Sequence, residues 1–137
     1  MEFDVSVTRR KANAERDWIC LADFTLPLHC APLQNTLLRM HWSKRRKIKQ
    51  EAMTRMLASG GRRKSPVDGR PMVRVIRRST QRPDGDSGYG AKLPLDCLKD
   101  LGWIRDDSDD AIDLTFSWKA AKRGEGRLVV EVWSEVP

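Results

Sequence analysis

The 137-residue sequence predicts a single α+β domain, and three observations carry that expectation. Stretches of strand character stand at residues 18–28, 72–78, 111–118 and 127–133. Two helical stretches lie among them, one over about 43–58 and one from Ala91 or Pro94 to Leu101. No linker, internal repeat or low-complexity tract divides the chain, and its length suits one core better than two.

Residues 1–20 read as an N-terminal extension or edge strand, and 21–137 as the domain proper. E-F-D-V-S-V-T alternates as a short strand does, and R-R-K-A-N-A-E-R-D is a polar turn. W-I-C-L-A-D-F-T-L-P-L is a largely buried strand stopped by Pro27, and H-C-A-P-L-Q-N after it is loop-like. The helix over 43–58 takes Ser43 as its N-cap, sets Ile48, Ala52, Met56 and Leu57 roughly on one side, and stops at Gly60-Gly61. M-V-R-V-I-R-R alternates as a strand. Pro94 is tolerable only in a helix's first turn, and Gly102 ends that second helix. A-I-D-L-T-F-S-W puts Ile112, Leu114, Phe116 and Trp118 on one face, and R-L-V-V-E-V-W follows it as the second arm of a terminal β-hairpin with a basic tip.

Charge is unevenly placed. The chain carries +7, yet between Asp84 and Asp110 eight acids face three bases, a local −5 that leaves +12 on the remainder. Lys44, Arg45, Arg46, Lys47 and Lys49 fill the start of the first helix, where the helix dipole disfavours cations. A sequence optimised for helix stability alone would place acids there, so the pattern points to an anion-binding surface. A pI near 9.7 indicates nucleic acid or an anionic membrane as partner. No run of about 18 apolar residues exists, and M-E-F-D-V lacks a signal peptide's features, so no membrane association and a cytoplasmic location are expected. Cys20, Cys30 and Cys97 are odd in number and widely spaced, which argues against a structural zinc or a disulfide framework.

The acids fall into two tight sets, Asp84 and Asp86 in R-P-D-G-D-S-G-Y-G, and Asp106, Asp107, Asp109 and Asp110 in I-R-D-D-S-D-D. Carboxylates packed this closely repel one another unless protons or cations intervene, and a hard divalent metal suits oxygen ligands and phosphate chemistry. Neither set is an EF-hand loop: counted from Asp84, Tyr89 falls at the required glycine and Leu95 at the required glutamate. There is no G-x-x-x-x-G-K-[ST], and His29 and His41 offer no H-E-x-x-H spacing and read as structural or exposed. D-G-D alone is an ordinary polar turn. Two acidic sets flanking one short helix, with Lys92 close after Asp86, point instead to a metal-dependent phosphodiesterase.

These residues also resemble a known family. R-P-D-G-D-S, the lysine of A-K-L-P-L-D-C-L, and L-G-W-I-R-D-D are similar to the core of the RusA family of Holliday junction resolvases. That family's pattern is D-x-D-N, a nearby lysine, an L-x-D-x-L helix ending in glycine, and D-D after an aromatic-aliphatic step. P-L-H-C-A-P-L-Q-N-T-L-L-R-M-H-W-S-K-R resembles the strand, asparagine-bearing loop and basic helix of phage-type members, so the likeness spans about residues 21–134. Two departures stand out: Ser87 replaces the usual asparagine, and Gly88-Tyr89-Gly90 alters the gap to the lysine.

The resemblance implies a small mixed β-sheet packed with two main helices, and a homodimer that resolves four-way DNA junctions by paired nicks. It implies Mg²⁺, with Mn²⁺ as a substitute, held by Asp84, Asp86 and Asp107 with Asp106 as a further candidate. Lys92 completes the catalytic set. Asn35, Lys44, Arg45, Arg46, Lys47, Lys49, Arg77, Arg78, Lys119, Lys122 and Arg123 are the expected DNA contacts. A nuclease acting on flaps or other branched DNA, and a non-catalytic basic nucleic-acid-binding protein, remain the alternatives.

Overall fold

A computed structural model describes residues 7–9 and 17–136, the side chains of 7–9 and 86 excepted. In chain order the elements are β1 (Val7–Arg9), β2 (Asp17–Pro27), a 3₁₀ turn at Leu28–Cys30, α1 (Gln34–Arg39) and α2 (Trp42–Gly60). Then come β3 (Met72–Ser79), a 3₁₀ turn at Gly85–Gly90, α3 (Lys92–Asp100), β4 (Asp113–Ala120) and β5 (Arg127–Glu135). The class is α+β as expected. One five-stranded sheet has the order β1-β2-β5-β3-β4, mixed because β3 and β4 run parallel while the other pairs are antiparallel. Val7–Arg9 pairs with Asp17–Ile19 as an edge strand, and β2 continues past residue 20 with a register shift against β5 between Cys20 and Ala22. Residues 1–6 and 10–16 of the expected extension lie outside the described residues.

The expected terminal hairpin does not form. β5 inserts between β2 and β3, and β4 lies beyond β3 at the sheet's edge. The reason is burial. Leu128, Val130, Val132 and Trp133 are fully buried in β5, whereas β4 has no buried residue. Placing β5 centrally removes its apolar side chains from water at about 1.5–3 kcal/mol each. The basic loop 121–126 therefore crosses the end of β3, where Gly126 packs close to the Arg78 carbonyl, and is not a hairpin tip.

One face of the sheet, formed by Phe24, Leu26, Val73, Val75, Leu128, Val130 and Val132, packs against Ala52 and Met56 of α2 and Leu95 and Leu98 of α3. A smaller group, Trp18, Met72 and Trp133, forms a separate cluster. Leu57, expected on the apolar side of α2, is exposed. Ser43 is not the N-cap of α2. His41 takes that place, its Nδ1 accepting from the Ser43 N–H at 3.1 Å. An imidazole nitrogen reaches the orphan donor as a hydroxyl would, and the helix begins one residue earlier than expected. The segment Q-N after Leu33, read as loop, begins the six-residue α1.

α3 is the crossover between the parallel strands β3 and β4. Pro94 occupies its first turn, where no intrahelical donor is required. Gly102 (φ 83°) ends it: Trp103 N–H donates to Leu98 O and Gly102 N–H to Lys99 O, a Schellman closure that turns the chain back toward the sheet. Among the described residues no helix is long and apolar enough to cross a membrane.

Candidate metal and nucleic-acid site

The D-G-D turn follows β3 after residues 80–83. Asp84 precedes the 3₁₀ turn in extended conformation with its carboxylate making no capping hydrogen bond, and it is exposed. Ser87 closes the turn, its Oγ donating to the Asp84 carbonyl at 2.6 Å and its N–H to the same oxygen at 3.1 Å. This is a backbone role that serine fills while buried at 6% exposure. Gly88, Tyr89 and Gly90 then take positive φ values of 70°, 54° and 79°. Three left-handed residues in succession swing the chain into α3, and only the middle one carries a side chain. Tyr89 is held there by its ring against Phe116, centroids 5.3 Å apart, and by its N–H donating to Ser87 Oγ. Asp86 falls inside this turn, and its carboxylate lies outside the described residues.

Lys92 is the first residue of α3. Its ammonium lies 3.4 Å from Asp96 one turn on. Lys99 bridges Asp96 at 3.6 Å and Asp106 at 3.8 Å, so a chain of charges runs Lys92–Asp96–Lys99–Asp106 along the helix and the returning segment. Asp106 also accepts the Asp107 N–H at 2.9 Å, and that bond, more than the nearby Lys99, holds its carboxyl below the ordinary range. Asp100 is taken by Lys49 of α2 at 2.8 Å. Among the described residues Asp84, Asp107, Asp109 and Asp110 have no cation within ion-pair distance. Asp109 is fixed through its backbone, where Arg70 donates to its carbonyl. The two acidic sets thus flank α3: Asp84 leads into its first turn, and Asp106 is tied to Lys99 in its last.

The donor chemistry of Asp84 and Asp107, oxygen-only and without cationic partners, fits a hard divalent ion. Among the described residues the one group of three His, Cys, Asp or Glu side chains within reach of a single ion lies elsewhere and was not legible in the sequence. His29 Nε2, Cys30 Sγ and a Glu51 oxygen all lie within 4.8 Å of one another, a mixed N, S and O set unlike a magnesium site. Residues 29, 30 and 51 share no motif, and the fold alone brings them together. Glu51 there bonds His29 at 2.7 Å and Arg55 at 2.9 Å, contacts that hold its carboxyl below its usual value. His29 is accordingly a hydrogen-bond partner of Glu51, and His41 a helix cap.

The expected DNA contacts divide. Lys44, Arg46 and Lys47 are exposed on α2, Arg45 is half-buried, and Lys49 is engaged with Asp100. Asn35 is exposed on α1 and lines a cavity of about 490 Å³ with Thr36, Arg39, Met40, His41 and Lys44. Its neighbour Gln34 reaches over the D-G-D turn, with Oε1 3.4 Å from where a side chain on Gly88 would begin. Lys119, Lys122 and Arg123 are exposed at the end of β4 and beyond. Alternation along β3 separates Arg77 from Arg78. Arg77 follows Val73 and Val75 on the helix-covered face and is buried, while Arg78 is half-buried on the opposite face.

No protein-family model and no curated protein matches the chain.

Proposed function

We propose that this chain is a Mg²⁺-dependent endodeoxyribonuclease of the RusA type that resolves four-way DNA junctions as a homodimer. The observation that carries the reading is the position of α1. Asn35 lines the basic cavity with Arg39 and Lys44, and the adjacent Gln34 lies over the acidic turn. A nucleic-acid strand lying along the basic corner therefore runs toward Asp84 within a few residues' breadth. Lysines and arginines supply the polyanion's counter-charge, and uncompensated carboxylates supply a place for its metal.

Asp84, Asp86 and Asp107 would hold the ion, which when bound polarises a phosphodiester and lowers the pKa of water. Asp106 contributes by fixing the Asp107 backbone. Lys92, at the first turn of α3, supplies positive charge to a phosphoryl oxygen when it leaves Asp96. Phosphate contacts along α2 set register without reading sequence. A four-way junction is two-fold symmetric, and one carboxylate set per chain makes a two-fold dimer the economical way to cut two strands.

The test incubates the protein with a labelled four-way junction, a flap and a linear duplex, with and without Mg²⁺. Paired, metal-dependent nicks in the junction leaving 5′-phosphates are expected. Asp84→Asn, Asp86→Asn and Asp107→Asn should each lower cleavage by orders of magnitude while binding survives. Binding without cleavage at any Mg²⁺ concentration overturns the nuclease reading. Preferential flap cleavage by a monomer in sedimentation overturns the junction and dimer assignments.

A further inference from the structure

Arg77 has a buried guanidinium with no counter-charge in reach among the described residues. The residue is 8% exposed, on the sheet face covered by the helices. Its Nη1 donates to the carbonyls of Ala31 at 2.9 Å and Tyr89 at 3.3 Å, both neutral acceptors. Among the described residues no carboxylate lies within ion-pair distance of it, and burial alone displaces its pKa, downward. Guanidinium presents five N–H donors in a fixed fork, so two carbonyls leave the Nε and Nη2 edge without an acceptor among the described residues. A buried cation without a partner is a costly arrangement unless something completes it.

What remains of its surface opens into a cavity of about 380 Å³ lined by Leu28, Leu33, Ser79, Arg82 and Asp84 among others. The leucines keep one wall apolar. Ser79 is not free to serve a ligand, because its Oγ donates to Gln81 O at 2.7 Å and accepts from Trp118 Nε1 at 3.0 Å. Arg82 is exposed at the rim. The cavity thus offers an unused planar donor edge at its floor, a second arginine at its mouth, and one carboxylate.

We infer that this cavity is a phosphate seat, in which Arg77 holds a tetrahedral phosphate through its free edge and Arg82 closes over it from the rim. Planar, bidentate donors match phosphate oxygens, and the low-polarity wall strengthens the contact. That the phosphate belongs to a nucleic-acid backbone rests on the reading above. The seat would then fix one phosphodiester of the bound strand beside Asp84, making Arg77 a substrate-positioning residue.

Two probes separate the sources: inorganic phosphate, and a four-way junction in EDTA so that no cleavage intervenes. The arginine Nε–Hε resonances of ¹⁵N-labelled protein are followed in wild type, Arg77→Lys and Arg82→Gln. The Arg77 signal, assigned by its loss in Arg77→Lys, should shift saturably with phosphate, and Arg82→Gln should weaken that response several-fold. With the junction, Arg82→Gln should bind more weakly and reduce the slope of log affinity against log salt by about one. An Arg77 signal indifferent to phosphate and to bound junction overturns the seat, even if Mg²⁺-dependent cleavage stands. A saturable phosphate response without any DNA binding upholds the seat and removes the nuclease reading. Should Arg77→Lys not fold, the Arg82→Gln comparison decides the matter alone.

Discussion

Replacing Gly90 with alanine tests the junction at which the acidic turn, α1's approach and Arg77 meet. Gly90 has φ 79°, and a Cβ there would fall inside van der Waals contact of the Ala31 carbonyl oxygen and Arg77 Nη1. Two costs add. Holding an L-residue in the left-handed region costs about 1–2 kcal/mol. The Ala31 carbonyl is backbone and must shift with its chain, while Arg77 Nη1 must swing away, so relief loses the Arg77–Ala31 hydrogen bond, worth about 1.5–3 kcal/mol because its donor is charged. The expected loss is about 3–4 kcal/mol, or roughly a 10 °C fall in Tm for a chain of this size. Two controls isolate the parts. Gly124 also has positive φ, 87°, but open space around it, so Gly124→Ala should cost only the conformational share, about 1 kcal/mol. Gly85 has ordinary φ and open space, so Gly85→Ala should lie within about 0.5 kcal/mol of wild type. Urea unfolding followed by tryptophan fluorescence gives all three values. If Gly90→Ala is no worse than Gly124→Ala, the packing of Ala31, Arg77 and Gly90 is not as described.

Burial raises the thiols of Cys20 and Cys30 to about 11 and that of Cys97 to about 12, so a thiol reagent at pH 8 should label the native protein far more slowly than the guanidinium-unfolded chain; three rapid native thiols would contradict this. His29, then Arg55, depresses the Glu51 carboxyl from its ordinary 4.5, so its pairing stabilises the fold above that pH and is lost as pH falls through the lower folded value. The stability gap between wild type and Glu51→Gln should accordingly narrow in urea titrations taken from pH 6 to pH 3, and a gap that widens would refute the assignment. On α2, Arg46→Gln with Lys47→Gln should flatten the salt dependence of DNA affinity by about two units. Lys49→Gln, whose partner is Asp100, should instead cost about 0.5 kcal/mol of stability and barely change that slope.

The sequence made the elements legible and left their pairing obscure. Alternation in M-V-R-V-I-R-R and the Gly60-Gly61 stop located β3 and the end of α2, because strand period and helix termination are local properties. Strand neighbours are not local. A short basic loop between two strands suggests a hairpin, and only weighing the apolar run L-V-V-E-V-W against the exposed D-L-T-F-S-W-K-A would have placed β5 inside and β4 outside. The same limit hid the site's interior. Arg77 and Arg78 look equivalent in R-R, yet they fall on opposite faces of a sheet covered by helices on one side. The D-G-D turn was visible. That Ser87 is the residue closing it, and that Gly88 and Gly90 carry the reversal, follows from backbone angles the sequence only permits.

The acidic segment then divides by what each carboxylate already touches. Asp96 is bound to Lys92 and Lys99 within α3, Asp100 to Lys49 and Asp106 to Lys99, and the last two pairs fasten α3 to α2 and to the returning chain. They need no further cation. Asp84 and Asp107, the positions singled out by the D-x-D and D-D patterns, have none within reach among the described residues. A segment of net −5 inside a +7 chain is therefore not uniformly short of positive charge. Its deficit falls on Asp84, which borders the cavity of a buried arginine with no carboxylate in reach among the described residues, and on Asp107 beyond the other end of α3. An unpaired carboxylate and an unpaired guanidinium bordering one cavity do not neutralise each other here, although nothing would cost less if structure were the only requirement. On the proposed reading a metal phosphate complex would satisfy both at once, the metal answering Asp84 and the phosphate answering Arg77, and it is this complementarity that sets the proposal apart from a merely structural turn.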